Sequence, residues 1–366
     1  MQFIFELMLI ILFTKLAGDL SVRLGQPAVL GKLIAGIALG PAVLGWVAQG
    51  GFIEDAAEIG VLLLMFIAGL ETDLDQMKRN WQSAFAVAVA GIILPFAGGY
   101  GTGIAFGLSD SFSLFLGVVL SATSVSISVQ VLKDMNKLNS REGTTILGAA
   151  VLDDVLVVIL LAVMMSALGT GADVSIGALI GKKALFFAVT IAAGWFVVPK
   201  VMKWLAPLRV TEAVVSAALV ICFAFAYFAE SLQMAGIIGA FAAGIAIAQT
   251  GFKQTVEEKI EPIAYSLFVP VFFVSIGLNV SFVGLSEQWL FMIAITVVAC
   301  VTKLAGGWLG ARATGFDGRS SLAIGAGAGL AASLVLGLLV RIQVIVDEVD
   351  GEWMDEVLER RGPGWG

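Results

Sequence analysis

Long apolar segments, separated by short polar stretches, make up most of the chain. Twelve of them approach the length of about 20 apolar residues that a helix needs to cross a bilayer. They span residues 2–22, 27–46, 54–70, 81–107, 112–132, 144–168, 174–206, 213–229, 234–250, 262–278, 287–313 and 320–341. Because a helix satisfies its own backbone hydrogen bonds in lipid, this pattern predicts an all-α polytopic membrane protein.

The composition supports this prediction. Hydrophobic residues make up 59% of the 366 residues and charged residues only 13%, with a mean hydropathy of +0.99. A soluble domain carries about a quarter charged residues, so a soluble enzyme is excluded, and we expect neither a nucleic-acid partner nor a resident cofactor. The chain contains no histidine, so any pH response must come from acidic groups, lysines or coupled groups.

Positive charges alternate between the loops. Lysine and arginine follow segments one, three, five, seven, nine and eleven, whereas the loops after segments two, four, eight and ten carry none. Cytoplasmic loops are enriched in positive residues, so we predict a multi-pass protein of the cell (inner) membrane with its N-terminus outside. Lys182 and Lys183 are the exception, because they follow segment six and lie within the start of segment seven.

Two short motifs recur at an offset of 208 residues. Ala-Gly-Ile-Ala occurs at 35–38 and 243–246, and Gly-Leu ends the following segment at 69–70 and 277–278. The first copy starts outside the membrane and the second inside, so the repeats are inverted, a layout typical of secondary transporters. The predicted organisation is a first six-helix repeat, a linker helix, an incomplete second repeat and an acidic polar tail. These units span residues 1–168, 174–206, 213–341 and 342–366.

Asp153 and Asp154 are adjacent carboxylates within apolar segment six. An ionisable residue at membrane depth is unfavourable by roughly 3 kcal/mol on insertion scales, and such residues usually face a bundle interior or an aqueous cavity on an ion path. The pair therefore predicts an ion or proton site. The alternative is that both carboxylates lie at the interface and reach water, but aspartate is short and apolar residues flank the pair.

Segment five is unusually rich in hydroxyl groups. Its five members are Ser121, Thr123, Ser124, Ser126 and Ser128. Hydroxyls can satisfy backbone groups that a helix break leaves free, and unwound carbonyls with hydroxyls suit a hard cation. We therefore predict a break here, and another at the glycine run 325–329, where the counterpart segment 329–333 begins. The alternative is that the hydroxyls only pack helices together.

Lys303 lies within apolar segment eleven. A lone buried ammonium must lose its proton or find a carboxylate, and the aspartate pair provides the candidate partner. Adjacent helical residues point about 100° apart, so one aspartate can face Lys303 while the other faces a cavity. The alternative is a lysine that extends to the membrane surface from near the helix end.

These motifs together resemble the bacterial sodium/proton antiporters of the monovalent cation:proton antiporter superfamily. The resemblance runs from residue 1 to about 327. It is carried by Ala-Thr-Ser-Val-Ser at 122–126, Ile-Leu-Gly-Ala-Ala-Val-Leu-Asp-Asp at 146–154 and Lys-Leu-Ala-Gly-Gly at 303–307. It is also carried by Leu-Gly-Gln-Pro at 24–27, Leu-Gly-Pro at 39–41, Gly-Leu-Glu-Thr at 69–72 and Pro-Val-Phe-Phe at 270–273.

The resemblance implies a thirteen-helix fold of two inverted six-helix repeats, with two crossed broken helices between a core and a dimerisation domain. It implies a homodimer. It also implies that Asp154 binds the ion, that Asp153 pairs with Lys303, and that Thr123 and Ser124 belong to the first broken helix. The adjacent aspartates with a lysine resemble electrogenic exchangers, in which about two protons are exchanged for each sodium or lithium ion.

The chain departs from the family near its C-terminal end. The family continues with an Arg-Gly-Glu turn and a last helix, whereas this chain reads Gly-Leu-Ala-Ala-Ser at 329–333 and becomes acidic, with a net charge of −5 over 347–361. We therefore expect the last helix to be missing and the tail to be external. Three alternatives to the antiporter stay open: a potassium efflux protein, a channel-like cation path, and a truncated member that does not transport.

Overall fold

A computed structural model describes residues 2–167, 176–280 and 285–333. Within these ranges the chain is helical and contains no strand. The α-helices are α1 Gln2–Arg23, α2 Ala28–Leu39, α3 Gly51–Glu71, α4 Leu74–Arg79, α5 Trp81–Ala105, α6 Asp110–Ser121, α7 Val125–Asp134, α8 Arg141–Ala167, α9 Ile176–Phe196, α10 Val198–Leu205, α11 Ala213–Ser231, α12 Gly236–Ala248, α13 Lys253–Ile263, α14 Val269–Leu278, α15 Leu285–Ala313 and α16 Gly318–Ser333. A π-helical turn, Ala264–Phe268, joins α13 to α14.

The predicted all-α membrane fold is confirmed. Seven helical stretches of the described ranges are long and apolar enough to cross a membrane, judged by length and composition, and α2 and α12 are shorter apolar helices. Each of the first eleven apolar segments corresponds to one helix or to two consecutive ones. The acidic tail and the end of segment twelve beyond Ser333 lie outside the described residues.

Segment five is broken where the hydroxyl residues predicted a break. Helix α6 ends at Ser121 and α7 begins at Val125, with Ala122 and Ser124 in extended backbone conformations. The Ser124 hydroxyl accepts a hydrogen bond from the backbone N–H of Ile127 at 3.4 Å and so caps α7. The break leaves the last carbonyls of α6 without helical partners.

The break predicted at 325–329 was wrong, because α16 runs without interruption from Gly318 to Ser333. Its glycines serve close helix packing instead. A β-carbon on Gly325 would lie 2.4 Å from the carbonyl oxygen of Leu304, and one on Gly327 would lie 2.6 Å from the Ile146 side chain. These glycines allow α16 to approach α15 and α8, so only one of the two expected broken helices occurs in the described part of the chain.

The helices pack in two groups. The first, which we call the ion-pair group, contains α5, α6, α7, α8, α15 and α16, and α5 packs extensively against α6, α8 and α15. The second, the flanking group, contains α1, α2, α3 and α9 to α14, with α3 packed on α12 and α2 on α14. Contacts between the groups are sparser and are made mainly by α7 with α2 and α3, and by α8 with α9.

The glycines of the recurring motifs lie at reciprocal helix crossings. A β-carbon on Gly36 of α2 would lie 3.0 Å from the α-carbon of Gly277 in α14, and one on Gly244 of α12 would lie 2.9 Å from the α-carbon of Gly69 in α3. The first motif of each copy therefore contacts the second motif of the other copy. An exchange of this kind is what a two-fold relation between the copies produces.

Candidate ion-binding site

The two adjacent aspartates of α8 face different neighbours. The Asp153 side chain is buried, with 3% of the residue exposed, whereas Asp154 is half-buried. Because consecutive residues of a helix point about 100° apart, Asp153 faces Lys303 of α15 while Asp154 lies toward α9. The structure therefore gives each carboxylate its own surroundings.

Lys303 lies in the interior of the ion-pair group, with 1% of the residue exposed. Its ammonium group donates to the Gly91 carbonyl at 3.0 Å and to the Thr123 hydroxyl at 2.5 Å, and it also donates to the Ser121 carbonyl. An ammonium group has three N–H donors. All three have acceptors, which explains how a lysine is held at this depth.

The two carbonyls bound by Lys303 have no backbone N–H donor within their own helices. Within α5, the Gly91 carbonyl would accept from residue 95, but Pro95 has no backbone N–H. The Ser121 carbonyl belongs to the last residue of α6, immediately before the break. Lys303 therefore connects a proline-interrupted helix to a broken one.

Asp153 forms a long ion pair with Lys303. Its Oδ2 atom lies 3.9 Å from the ammonium nitrogen, beyond hydrogen-bonding distance, and has no hydrogen-bond partner. A cavity of about 20 Å³ lies beside the pair and is lined by Gly91, Thr123, Ile146, Ala149, Asp153 and Lys303, among others. That volume is enough for about one water-sized group, so a small ion or water has space next to a free carboxylate oxygen.

The predicted ligands are not all at this cavity. Thr123 lines it with Asp153 and Lys303, whereas the Ser124 hydroxyl caps α7 and Asp154 lies outside the lining residues. The structure thus brings together Asp153, Thr123 and Lys303 from three distant parts of the sequence. The ligand roles predicted for all four residues, Asp153, Asp154, Thr123 and Ser124, stay predictions.

A second buried lysine near the aspartates was not predicted. Lys183 of α9 has 4% of the residue exposed, its ammonium group donates to the Gln233 carbonyl, and it interacts electrostatically with Asp154. The sequence did contain a signal, since Lys182 and Lys183 were the exception to the alternation of loop charges.

A charged cluster connects the two helix groups at one end of α7. Lys133 of α7 lies 2.5 Å from a Glu71 carboxylate oxygen of α3 and 2.8 Å from one of Glu261 in α13, and it stands over the Tyr265 ring at 4.6 Å. Glu257 completes a set of three carboxylates with oxygens within 4.8 Å of one another. The lysine holds together acidic groups that would otherwise repel one another.

Comparison with known proteins places the chain in a family. Residues 8–351 match the family described as "Sodium/hydrogen exchanger, transmembrane". The chain is 62% identical to the probable Na(+)/H(+) antiporter GerT of Bacillus cereus over 327 residues, which cover 89% of this chain and 87% of the relative. It is 60% identical to the Na(+)/H(+)-K(+) antiporter GerN of Bacillus cereus over 326 residues, covering 89% and 84%.

Two further comparisons extend this result. The Na(+)/H(+) antiporter of Enterococcus hirae is 43% identical over 330 residues, covering 89% of this chain and 86% of the relative. The structure of the sodium proton antiporter MjNhaP1 from Methanocaldococcus jannaschii superposes with a TM-score of 0.62 at 14% identity, covering 95% of this chain and 88% of that chain, which shows a common fold. The chain therefore belongs to the sodium/hydrogen exchanger family of membrane transporters.

Proposed function

We propose that this protein exchanges a monovalent cation, sodium or lithium, for protons across the cell's inner membrane. The observation that carries the proposal is the buried Lys303–Asp153 pair beside the break between α6 and α7, with Asp154 one residue further along α8. Helix breaks and ionisable residues at membrane depth mark ion sites in secondary transporters. The names of the three relatives point to the same reaction.

The mechanism is competition for carboxylate oxygens. A cation needs an ionised carboxylate, so a proton on the same group excludes it. We assign Asp154 as the principal cation ligand, with Asp153, Thr123 and Ser124 as further oxygen ligands. The Lys303 ammonium balances the charge of Asp153 in the ion-free protein, and the long 3.9 Å separation leaves Oδ2 of Asp153 available to a cation or a proton.

The packing of the helices supports a movement of the site between the two sides of the membrane. The ion-pair group carries Asp153, Asp154 and Lys303 and has sparse contacts with the flanking group. We propose that it moves as a unit, as expected for transporters with inverted repeats. The reciprocal glycine crossings support repeats at 1–168 and 213–341 joined by the linker 174–206. If two protons enter for each cation that leaves, one net positive charge moves inward. The membrane potential then contributes about 2.3 kcal/mol of driving free energy per 100 mV.

Potassium is a second candidate substrate. The 60% identical relative GerN is named an Na(+)/H(+)-K(+) antiporter, and the oxygen groups near Asp153 do not by themselves distinguish monovalent cations. A channel-like path for the same cations differs from exchange in one respect, because it moves the cation without linked protons.

We further propose a homodimer with external N-termini, as the family resemblance and the loop charges imply.

Proton flux in proteoliposomes tests the exchange reaction. The purified protein is reconstituted with a pH-sensitive dye inside, and sodium, lithium and potassium are added in turn. We expect sodium or lithium to drive proton movement in the wild type and not in Asp154→Asn, because the amide cannot bind a cation as a carboxylate does. Asp110→Asn, at an exposed aspartate of α6, is the matched control and retains the flux. Exchange that survives in Asp154→Asn contradicts the assignment, and a cation current without proton movement favours the channel.

A further inference from the structure

Lys183 is buried without a carboxylate at ion-pair distance among the described residues. Its ammonium group is anchored by the backbone carbonyl of Gln233, in the turn between α11 and α12, where the backbone of Gln233 has a φ of 59°. The adjacent Lys182 donates to the Gln233 side-chain oxygen at 3.0 Å, but it is exposed. Both lysines therefore bind the same residue, and only one of them is buried.

Helix packing directs Lys183 toward Asp154. Val151 and Val155 of α8 pack against the cluster that contains Phe186 of α9. Asp154 lies one helical turn after Val151, and Lys183 lies one turn before Phe186, so each charged residue shares a helix face with a residue of this contact. Their electrostatic interaction is consistent with this placement.

A buried ammonium needs a compensating negative charge. The Gln233 carbonyl supplies a hydrogen-bond acceptor but no formal charge, whereas Asp154 supplies the charge. We infer that Lys183 is a positioning residue that acts through Asp154: it is the resident counter-charge of this carboxylate in the ion-free protein, and it weakens cation binding there by repulsion. This inference rests on the proposed function, in which Asp154 binds the transported cation.

The consequence is an affinity that rises when the lysine charge is removed. Lys183→Gln keeps an N–H donor for the Gln233 carbonyl and removes the charge, so the anchoring role is retained. One unit charge at a separation of several ångströms in a partly buried site changes ion affinity by roughly tenfold. We therefore expect the KM for sodium in Lys183→Gln to fall by about this factor. If Lys183 had a purely structural role, its replacement would leave the KM for sodium unchanged or raise it.

The experiment measures sodium-driven proton flux against sodium concentration at alkaline pH, where protons compete least for the carboxylate. Three variants are compared with the wild type. Lys183→Arg keeps the charge and should keep the wild-type KM. Lys182→Gln makes the same change at the exposed neighbour that also contacts Gln233, and it should leave the KM unchanged. Melting temperatures in detergent identify any variant that is damaged in folding, and Lys183→Met replaces Lys183→Gln if that variant is not recovered.

The outcomes separate the inference from the function on which it rests. A lower KM in Lys183→Gln, with wild-type values in Lys183→Arg and Lys182→Gln, supports the counter-charge role. An unchanged or higher KM in a folded Lys183→Gln or Lys183→Met variant overturns it, while wild-type exchange leaves the proposed function intact. A wild type that shows no cation-driven proton flux removes the proposed function itself, and the inference with it.

Discussion

Replacing Lys303 by methionine removes the charge at the centre of the ion-pair group while keeping most of the side-chain volume. The substitution leaves Asp153 buried without its partner at 3.9 Å. It also removes the hydrogen-bond donor of the Gly91 and Ser121 carbonyls. Neither carbonyl has a helical donor, because Pro95 lacks an N–H and α6 ends at Ser121. The perturbation therefore acts on three buried polar groups at once.

The expected magnitude follows from these lost interactions. Removing one partner of a buried ion pair destabilises by about 3–5 kcal/mol, and each lost hydrogen bond to a charged group contributes about 1.5–3 kcal/mol. These values overlap, because they describe the same ammonium group, and Asp153 can relieve part of the loss by binding a proton. We therefore expect Lys303→Met to lower the free energy of unfolding by roughly 3 kcal/mol.

Thermal unfolding of the purified protein in detergent, combined with a double-mutant cycle, measures the effect. The single variants Lys303→Met and Asp153→Asn are compared with the double variant, and Lys78→Met serves as the control at an exposed lysine. If the two residues form a pair, the double variant is less destabilised than the sum of the single variants. Additive single effects, or a melting curve of Lys303→Met equal to that of Lys78→Met, would refute the pairing.

Two further predictions concern contacts within and between the helix groups. A β-carbon on Gly244 would lie 2.1 Å from the Phe66 carbonyl oxygen, so Gly244→Ala should destabilise by about 1–3 kcal/mol, whereas Gly101→Ala, in open space on α5, should be tolerated. Lys133→Met leaves the acidic cluster without its cation and should destabilise by about 1–3 kcal/mol. The control Lys259→Met breaks the exposed pair with Glu212 and should change stability by less than about 1 kcal/mol. Melting curves in detergent check both predictions. Equal shifts of the melting temperature in a variant and its control would contradict the predicted destabilisation.

Much of the architecture could be predicted from the sequence, because the relevant physics is local. Apolar segments of helix length must form helices in lipid, since the backbone has no other hydrogen-bond partners there. The break around Thr123 was predicted for a similar reason, because clustered hydroxyls can satisfy backbone groups that a neighbouring helix turn leaves free. The two adjacent aspartates also stand out locally, since carboxylates are rare inside apolar segments.

The candidate site depended on groups that only the tertiary structure brings together. Lys303 and Asp153 are far apart in the chain, and nothing local to either indicated the Gly91 carbonyl that Pro95 leaves free. A glycine-rich run such as 325–329 is compatible both with a helix break and with close helix packing. The structure shows that Gly325 and Gly327 serve packing, because α15 and the Ile146 side chain approach them closely. Lys183 appeared in the sequence only as a misplaced positive charge.

The sequence by itself determined where helices form and which segments carry charge into the membrane, because these properties depend on side-chain polarity over one or two helical turns. The residue pattern alone left open which aspartate faces Lys303, and only the family resemblance named Asp153. The tertiary structure decided that Lys183 lies on the side of Asp154 and which carbonyls hold each ammonium group. The physical reason is that a buried charge is stabilised by whatever lies within a few ångströms, and those neighbours are set by helix crossings between residues distant in the chain.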